Sequence, residues 1–315
     1  MKVECKYCKS ENIVKKGIRK LKKIKKQIYF CKNCGHKFSL GLSKKRSNIH
    51  VILNAVCAYN QGYNYGEVCD LISRKNKITI SKSSVERWVK EYDLGYLDIR
   101  SRIIKKYGSS LIIGRMFKHS DLLYNFKYHK GKLTEFGKFI GLKNFIGSVS
   151  NGIDDKLFDS NNRCSHAKSD VSVNVKVFDN TKLNKMIGSA LKVVTNNKQR
   201  HAIIEDFLLN CDRNSVAIEV PIWFWDKKID AGVCGHIDIL QVKYGKVWIL
   251  DYKPNASKEN VDAVVSQLFN YALGLSFRTK VGLKDIKCAW FDEDKVFIFD
   301  ANKVRVRDNM EVGNK

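Results

Sequence analysis

Between residues 49 and 73, apolar residues recur at the three- and four-residue spacing of α-helices. In the first stretch they are three and one positions apart, which places them on one helix face; they are Ile49, Ile52, Leu53, Val56 and Cys57. Asn60-Gln-Gly62 ends this pattern, because asparagine and glycine favour turns. A second, shorter helix is predicted from Tyr65 to Ser73. Its inward face is made of Val68, Leu71 and Ile72.

A third predicted helix has one apolar face and one basic face. Ser81 or Ser83 is its N-cap, and Glu86, three residues after Ser83, would complete a capping box. Its inward positions are Val85, Trp88 and Val89. Its outward positions are Lys82, Ser84, Arg87 and Lys90. The three helices favour a helix-turn-helix whose last helix enters a DNA major groove, although a plain three-helix bundle gives the same pattern.

Two apolar strands flank the turn sequence Lys243-Tyr-Gly-Lys246 and predict a β-hairpin. Asp238 and Asp251 are equidistant from the centre of that turn, so a symmetric loop of two or four residues places them opposite each other. Strand alternation puts Lys253 on the same face as Asp251. Because two close carboxylates repel, they need a counter-charge, and a divalent cation held by oxygen ligands supplies one. The hairpin therefore predicts a metal site.

Two CxxC pairs lie near the beginning of the chain. Cys5 and Cys8 form the first pair, and Cys31 and Cys34 form the second after 22 intervening residues. Each CxxC turn can direct two thiolates to one zinc ion at about 2.3 Å. The residues between the pairs fit two strands. We therefore predict a structural zinc ribbon whose folding depends on the metal.

Basic residues are concentrated at the same end of the chain. The whole chain carries 58 Lys and Arg against 32 Asp and Glu, a net charge of +26. Residues 1–50 contain 16 of the basic residues and only two acids, Glu4 and Glu11. Such an excess attracts polyanions, and nucleic acid is the commonest. Lys22 and Lys23, inside a basic run between the CxxC pairs, are candidate phosphate contacts.

The remaining composition narrows the class of protein. The sequence begins without an apolar signal segment, and it contains no run of 18 apolar residues. We therefore expect a cytoplasmic protein, nucleoid-associated if the source is prokaryotic, with no membrane partner. In that compartment thiols stay reduced, so the ten cysteines are metal ligands or buried thiols rather than a disulfide frame.

The beginning of the chain resembles the DNA-binding region of many prokaryotic transposases. The residues that carry the resemblance are the CxxC pairs, Gln27-x-Tyr29-x-Cys31, Phe38 and the helical segment with Trp88. It covers roughly residues 1–92. The resemblance implies a DNA partner and a link to mobile elements or DNA repair. A helix-turn-helix often binds palindromic sites as a dimer, so a homodimer is one state that the sequence leaves open.

Residues 197–300 resemble the PD-(D/E)XK nuclease superfamily. Asp238 followed by Asp251-x-Lys253 matches the core motif, and Gln267-x3-Tyr271 in a later helix is similar to the RecB-like branch. Upstream, His201 and Glu205 lie four residues apart in a segment similar to the first core helix. The expected domain is an α/β core in which helices flank a mixed sheet.

The resemblance to these nucleases also implies roles for individual residues. Asp238 and Asp251 would hold Mg²⁺ or Mn²⁺, the main-chain carbonyl of Tyr252 would add a ligand, and His201, Glu205 or both would complete the metal shell. Lys253 would orient the attacking water, while Gln267 and Tyr271 would position the DNA backbone or the lysine. Glu219 is a further acid that is either a supporting group or an exposed strand residue.

The combined prediction is a multidomain, metal-dependent deoxyribonuclease. It assigns residues 1–42 to a zinc ribbon, 43–92 to an all-α helix-turn-helix domain, 93–195 to a connecting region of uncertain structure and 196–315 to the nuclease-like domain. The alternative is a DNA-binding regulator or transposon-associated protein with an inactive nuclease fold. An RNA-processing role is a third option. The sequence leaves the recognised site and endo- or exonuclease action undecided.

Overall fold

The computed structural model describes residues 3–5, 7–21, 24–39, 48–119, 122–135, 138–158, 163–165, 171–194, 196–226 and 230–306. The chain divides into two units, Met1–Asn48 and Ile49–Lys315. In the first unit the strands are β1 (Ile13–Leu21), β2 (Ile24–Cys31) and β3 (Lys37–Ser39). They form an antiparallel sheet in that order. The two strands predicted between the CxxC pairs are therefore confirmed as β1 and β2, and β3 adds a third.

The second unit combines helices and strands. Its helices are α1 (Ile49–Asn60), α2 (Tyr65–Asn76), α3 (Lys82–Glu91), α4 (Leu97–Tyr107), α5 (Lys130–Glu135), α6 (Ile140–Asn151), α7 (Lys182–Leu191), α8 (Arg200–Cys211) and α9 (Val261–Thr279). Its strands are β4 (Ile112–His119), β5 (Leu122–His129), β6 (Val171–Ser172), β7 (Lys176–Asp179), β8 (Ser215–Asp226), β9 (Ala231–Lys243), β10 (Lys246–Tyr252), β11 (Ile286–Phe291), β12 (Lys295–Asp300) and β13 (Arg305–Val306).

Most of these strands form one mixed sheet of eight strands in the order β4-β5-β8-β9-β10-β11-β12-β7. Strands β10 and β11 are parallel, and the other neighbouring pairs are antiparallel. The chain passes from β10 to β11 through α9, the helical crossover that a parallel pair requires. Strands β6 and β13 pair separately.

Helices cover both faces of the large sheet. On one face α9 packs through Leu268 in a core that includes Ile249 of β10. On the other face α8 packs through Phe207 in a core that includes Leu250, the next residue of β10. Alternation along the strand thus sends successive apolar residues into different cores. The predicted mixed sheet flanked by helices is confirmed.

The three helices predicted near the start of this unit are present as α1, α2 and α3. Val85, Trp88 and Val89 of α3 are buried, as predicted, in the core that also contains α8. Asn60, the last residue of α1, donates a hydrogen bond from Nδ2 to the Asn210 carbonyl of α8 at 3.0 Å. The inward assignment of Leu71 is wrong, since this side chain is 43% exposed. The helices are therefore packed onto the layer that covers the sheet.

The cap of α3 differs from the predicted arrangement. Ser81 is the N-cap of α3 and accepts a hydrogen bond from the Ser84 amide at 3.2 Å. This places Ser84, not Glu86, at the position that a capping box uses. The Glu86 carboxylate forms an ion pair with Lys90 instead, at 2.8 Å. Capping boxes are found instead at α2, between Asn64 and Glu67, and at α7, between Thr181 and Asn184.

Residues 93–195, for which the pattern predicted only a connecting region, contribute strands to both edges of the sheet. Strands β4 and β5 form a hairpin at one edge, and β7 forms the other edge. Strand β5 joins the centre of the sheet by pairing with β8, where Tyr128 lies opposite Ala217. These strands lie in the same unit as α1 to α3 and α8.

The loop of the β9–β10 hairpin has two residues, the shorter of the two predicted lengths. Tyr244 and Gly245 form its two-residue turn with φ angles of 52° and 68°. Positive φ at both central residues is the conformation of a type I′ turn, whose twist matches that of the flanking strands. Pairing then continues without a shift to Leu250 opposite Ile239. This fixed register determines which polar residues meet at the far end of the hairpin.

Candidate metal centres

Four cysteines of the first unit lie close together. The Sγ atoms of Cys5 and Cys34 are 3.5 Å apart, as are those of Cys8 and Cys31. All four sulfur atoms lie within 4.8 Å of one another, so the cluster could hold a zinc ion. Each sulfur pair joins the two CxxC turns, which is the arrangement of a closed tetrahedral site.

The first unit has a small apolar core, so its folding would depend on a bound zinc ion. Among the described residues of this unit, the buried core consists of Cys5, Cys31 and Phe38, with a few half-buried apolar residues around it. Phe38 is 6% exposed in this core, and Gly35 has a φ of 72°, which suits the turn after the second CxxC. Such a small core cannot stabilise the unit alone, so metal binding would supply folding free energy.

Two aspartates meet at the far end of the β9–β10 hairpin. The hairpin register, carried one residue beyond Leu250 and Ile239, sets Asp251 opposite Asp238. Asp251 is 2% exposed, and Asp238 accepts a hydrogen bond at Oδ2 from the main-chain amide of Tyr252 at 3.3 Å. The sequence-based pairing of the two acids is therefore confirmed. The predicted ligand role of the Tyr252 carbonyl stays a prediction.

Helix α8 adds two further side chains to the aspartates. His201 lies in its first turn, with Nδ1 3.4 Å from Asp238 Oδ2. Glu205 lies one turn later and is 3% exposed. His201, Glu205 and Asp238 each provide one potential ligand atom, and these three atoms lie within 4.8 Å of one another. The sequence left His201 and Glu205 as alternatives, and the structure brings both to the same place.

Burial and mutual repulsion perturb these carboxyl groups. The pKa of Glu205 is raised well above its ordinary value, first by burial and then by the charges of Glu219 and Asp238. Burial and the charge of Asp238 likewise raise the pKa of Asp251 well above its ordinary value. Burial alone would raise the pKa of Asp238, but the hydrogen bond and charge of His201 hold it below its ordinary value.

A divalent cation fits this arrangement. Glu205 Oε1 is buried and accepts no hydrogen bond from any described residue. An unpaired buried oxygen costs free energy unless something compensates it, and repulsion among the carboxylates adds to that cost. The donors available are carboxylate oxygens and one imidazole nitrogen, a set suited to Mg²⁺ or Mn²⁺.

Glu219 of β8 is a fourth acid beside the cluster. The register of β8 on β9 passes from Ile218 opposite Ile239 to Val220 opposite Ile237, which leaves Glu219 beside Asp238. Glu219 has a φ of 49°, a left-handed conformation that is costly for a residue other than glycine. Its pKa is raised to about 8, first by burial and then by Asp238. Glu219 is therefore a half-buried neighbour of the site, not an exposed strand residue.

A lysine beside Asp251 is held by two partners. Lys253 Nζ lies 2.8 Å from Asp251 Oδ2 and donates to Gln267 Oε1 of α9 at 3.3 Å. Gln267 Nε2 in turn donates to the Tyr271 hydroxyl at 3.1 Å, one helical turn later. All the residues that the sequence assigned to the nuclease site are thus neighbours in the structure.

No family model matches this chain, and no curated protein or solved structure is significantly similar to it. The arrangement of side chains is therefore the basis for any functional assignment. The acids, the histidine and the lysine come from separate elements, α8, β8, β9 and the end of β10. Their convergence at one point of the sheet indicates a functional site. Burying like charges together costs free energy, and carboxyl groups with strongly shifted pKa values cluster at functional sites.

A ring of aromatic residues next to the acids was not assigned to the site from the sequence. A cavity of about 180 Å³ contains Glu219, Asp238 and Tyr271 in its wall, together with Tyr124 of β5 and His236 of β9. The only sequence signal was the aromatic and basic stretch from residue 122 to 133, which could equally line a strand. Its position beside the acids depends on the pairing of β5 with β8.

The residues predicted to contact DNA are partly described. Lys82, Arg87 and Lys90 of α3 are exposed, and Ser84 is half-buried beside the N-cap. Lys22 and Lys23 lie outside the described residues. Among the described helices, none is long and apolar enough to span a membrane.

Proposed function

We propose that this protein is a DNA-binding, divalent-metal-dependent nuclease of the PD-(D/E)XK type that hydrolyses DNA phosphodiester bonds. One observation carries the proposal. His201, Glu205 and Asp238 gather potential ligand atoms within 4.8 Å of one another, beside the ion pair of Asp251 with Lys253. A structural ion pair alone would not require the additional buried acids.

Asp238, Glu205 and His201 would hold the cation, with Asp251 next to them across the hairpin. When bound, Mg²⁺ or Mn²⁺ supplies positive charge to the scissile phosphate and promotes ionisation of the attacking water. His201 donates to or shares a proton with Asp238 in the metal-free protein, since its pKa is raised by that hydrogen bond. Metal binding would replace this proton with the cation.

Lys253 acts as a positively charged donor. Burial tends to lower its pKa, but the carboxylate of Asp251 outweighs burial, so the pKa is raised and the ammonium stays protonated. An ammonium held at a fixed point can donate to a phosphate oxygen on which negative charge develops during hydrolysis. Gln267, which is hydrogen-bonded to Tyr271, gives the Lys253 ammonium a second partner besides Asp251. We assign these two residues a positioning role.

The parts of the chain before residue 93 would bring the site to DNA. We propose that α1 to α3 are a helix-turn-helix, with the exposed basic residues of α3 facing the major groove. The zinc ribbon and its basic residues would add contacts to phosphates. The ion pair of Lys90 with Glu86 leaves Lys82 and Arg87 as the principal cations of α3.

Cleavage by purified full-length protein tests the proposal. Linear plasmid, closed-circular plasmid and an RNA of similar length are incubated with Mn²⁺ or with EDTA. We expect metal-dependent loss of DNA, and cutting of the closed circle would identify an endonuclease. DNA binding without any cleavage would favour the alternative of a regulator with an inactive nuclease fold. Preferential loss of RNA would replace the proposed substrate.

A further inference from the structure

The cavity beside the acids is bounded by stacked aromatic rings. The ring centroids of Tyr124 and His236 are 3.5 Å apart with planes inclined by 7°. Those of His119 and Phe158 are 3.5 Å apart with planes inclined by 6°. His119 and His236 connect the two pairs at 4.4 Å. Four separate segments of the chain thus build one aromatic wall: β4, β5, residues 155–158 and β9.

The same cavity has polar groups suited to a ligand. His236 is 8% exposed, yet its Nε2 has no hydrogen-bond partner among the described residues. The Arg163 side chain also lines the cavity and supplies a positive charge there. A buried ring nitrogen without a partner is costly unless a ligand or water meets it. The cavity therefore offers the half-buried ring of Tyr124, an unsatisfied nitrogen and a cation.

The location of the cavity restricts what that ligand is. Glu219 and Asp238 lie in its wall, so a group inside it is in direct contact with the proposed metal site. Its volume of about 180 Å³ is below the roughly 300–1,000 Å³ typical of sites for drug-sized ligands. A single heterocyclic ring system attached to a strand fits this space, whereas a base pair does not.

We propose that this cavity, which we call the aromatic pocket, receives one unpaired nucleobase of the strand whose phosphate lies at the metal site. The inference rests on the proposed nuclease function and specifies its substrate. A base stacked on the aromatic wall would place the adjoining phosphate next to Asp238, and Arg163 would face the strand backbone. Stacking accepts any base, because every base has a π-face. The substrate is therefore single-stranded DNA, or a duplex in which one nucleotide has left the stack.

Photocrosslinking tests the pocket without relying on cleavage. A single-stranded oligonucleotide carries one 5-iodouracil, which on irradiation crosslinks to an aromatic side chain stacked on it. With full-length Asp251→Asn protein, we expect mass spectrometry to locate a crosslink on Tyr124 or His236. The same base held in a fully paired duplex should crosslink there at least tenfold less. Crosslinks only at other residues would overturn the inference.

Cleavage of oligonucleotides with one abasic nucleotide supplies the second test. Cleavage by the wild-type protein should fall about tenfold at one fixed distance from the abasic position, because a stacked base contributes roughly 1–3 kcal/mol. Tyr124→Ala should lower cleavage of the intact oligonucleotide and abolish this local gap, and Tyr124→Phe should restore both. Leu123→Ala is the control, since Leu123 is 68% exposed on the same strand.

The two tests distinguish failure of the aromatic-pocket proposal from failure of the nuclease proposal. Uniform cleavage with no gap, or a gap that persists in Tyr124→Ala, would overturn the pocket and leave the nuclease standing. Crosslinking to Tyr124 or His236 without cleavage of any substrate would have the opposite meaning. In that case the pocket holds a base and the proposed hydrolysis is wrong.

Discussion

His201 Nδ1 lies 3.4 Å from Asp238 Oδ2 and joins the first turn of α8 to β9. The contact links a helix on one face of the sheet to an acid that also faces Asp251 across the hairpin. Because Glu205 follows His201 by one turn, α8 presents both side chains to the same acid. The packing that fixes α8 on the sheet therefore also fixes the proposed metal site.

Replacing Lys253 with methionine should remove the fixed cation while keeping most of the side-chain volume. We expect single-turnover cleavage to fall by about 10²–10³-fold, the usual effect of losing one preorganised donor to a developing oxyanion. Mn²⁺ binding measured by calorimetry should persist, because the proposed ligands are intact. Lys258→Met, which changes an exposed lysine, is the control. Unchanged cleavage in Lys253→Met would remove this residue from the mechanism.

The acids should make the metal-free protein less stable as the pH rises. Glu219 has an ordinary pKa of 4.5 in the unfolded chain and a pKa of about 8 when folded. Between these values the folded state binds more protons, so the free energy of unfolding decreases with increasing pH. Glu205 and Asp251, whose pKa values are also raised, contribute in the same direction.

Urea unfolding in EDTA between pH 5 and 8.5 measures this dependence. We expect stability to fall across that range, Glu219→Gln to flatten the slope, and added Mg²⁺ to restore stability mainly at the alkaline end. Asp262→Gln, at an exposed acid on α9, should retain the wild-type slope. A free energy of unfolding that rises from pH 5 to 8.5 would contradict the proposed crowding of acids.

Some of this site is predictable from the sequence because its geometry is local. Asp238 and Asp251 are equidistant from a two-residue turn, so hairpin register alone brings them together. Lys253 follows from strand alternation. The choice between His201 and Glu205 depends on the packing of α8 against the sheet, which residue spacing does not contain, and the structure brings both side chains to Asp238.

Other features of the fold and the site could not be predicted, because they depend on contacts between segments that are distant in the sequence. The aromatic pocket combines rings from β4, β5, β9 and the segment before β6. Residues 93–195 were predicted only as a connecting region, so no sheet strand was predicted at β7. The left-handed conformation of Glu219 was also unpredictable, because positive φ is ordinarily signalled by glycine and this position is a glutamate.

The four-cysteine cluster should be required for the first unit to fold. Zinc removal by a chelator, or Cys31→Ser, is expected to expose residues 1–48 to proteolysis and to weaken DNA binding. The thermal transition of the second unit should be unaffected, because that unit has its own cores. Zinc release measured colorimetrically provides the occupancy. Equal protease resistance with and without zinc would show that the metal has no structural role.

The basic face of α3 should contribute to the electrostatic part of DNA binding. Removing one phosphate-contacting cation, in Lys82→Ala or Arg87→Ala, should reduce the slope of log affinity against log salt by about one. Fluorescence anisotropy over a KCl series measures this slope. Lys105→Ala on α4 is a charge-matched control at another exposed position. Equal slopes in all variants would exclude α3 from the interface.

We propose that the acids at the end of the hairpin hydrolyse DNA with a divalent cation. The most direct measurement is the single-turnover rate of DNA cleavage in Mn²⁺ by wild type, Asp251→Asn and Asp262→Asn. We predict that Asp251→Asn loses at least about 10²-fold in rate while retaining DNA affinity, and that Asp262→Asn cleaves like wild type. Cleavage by Asp251→Asn at the wild-type rate would contradict the account.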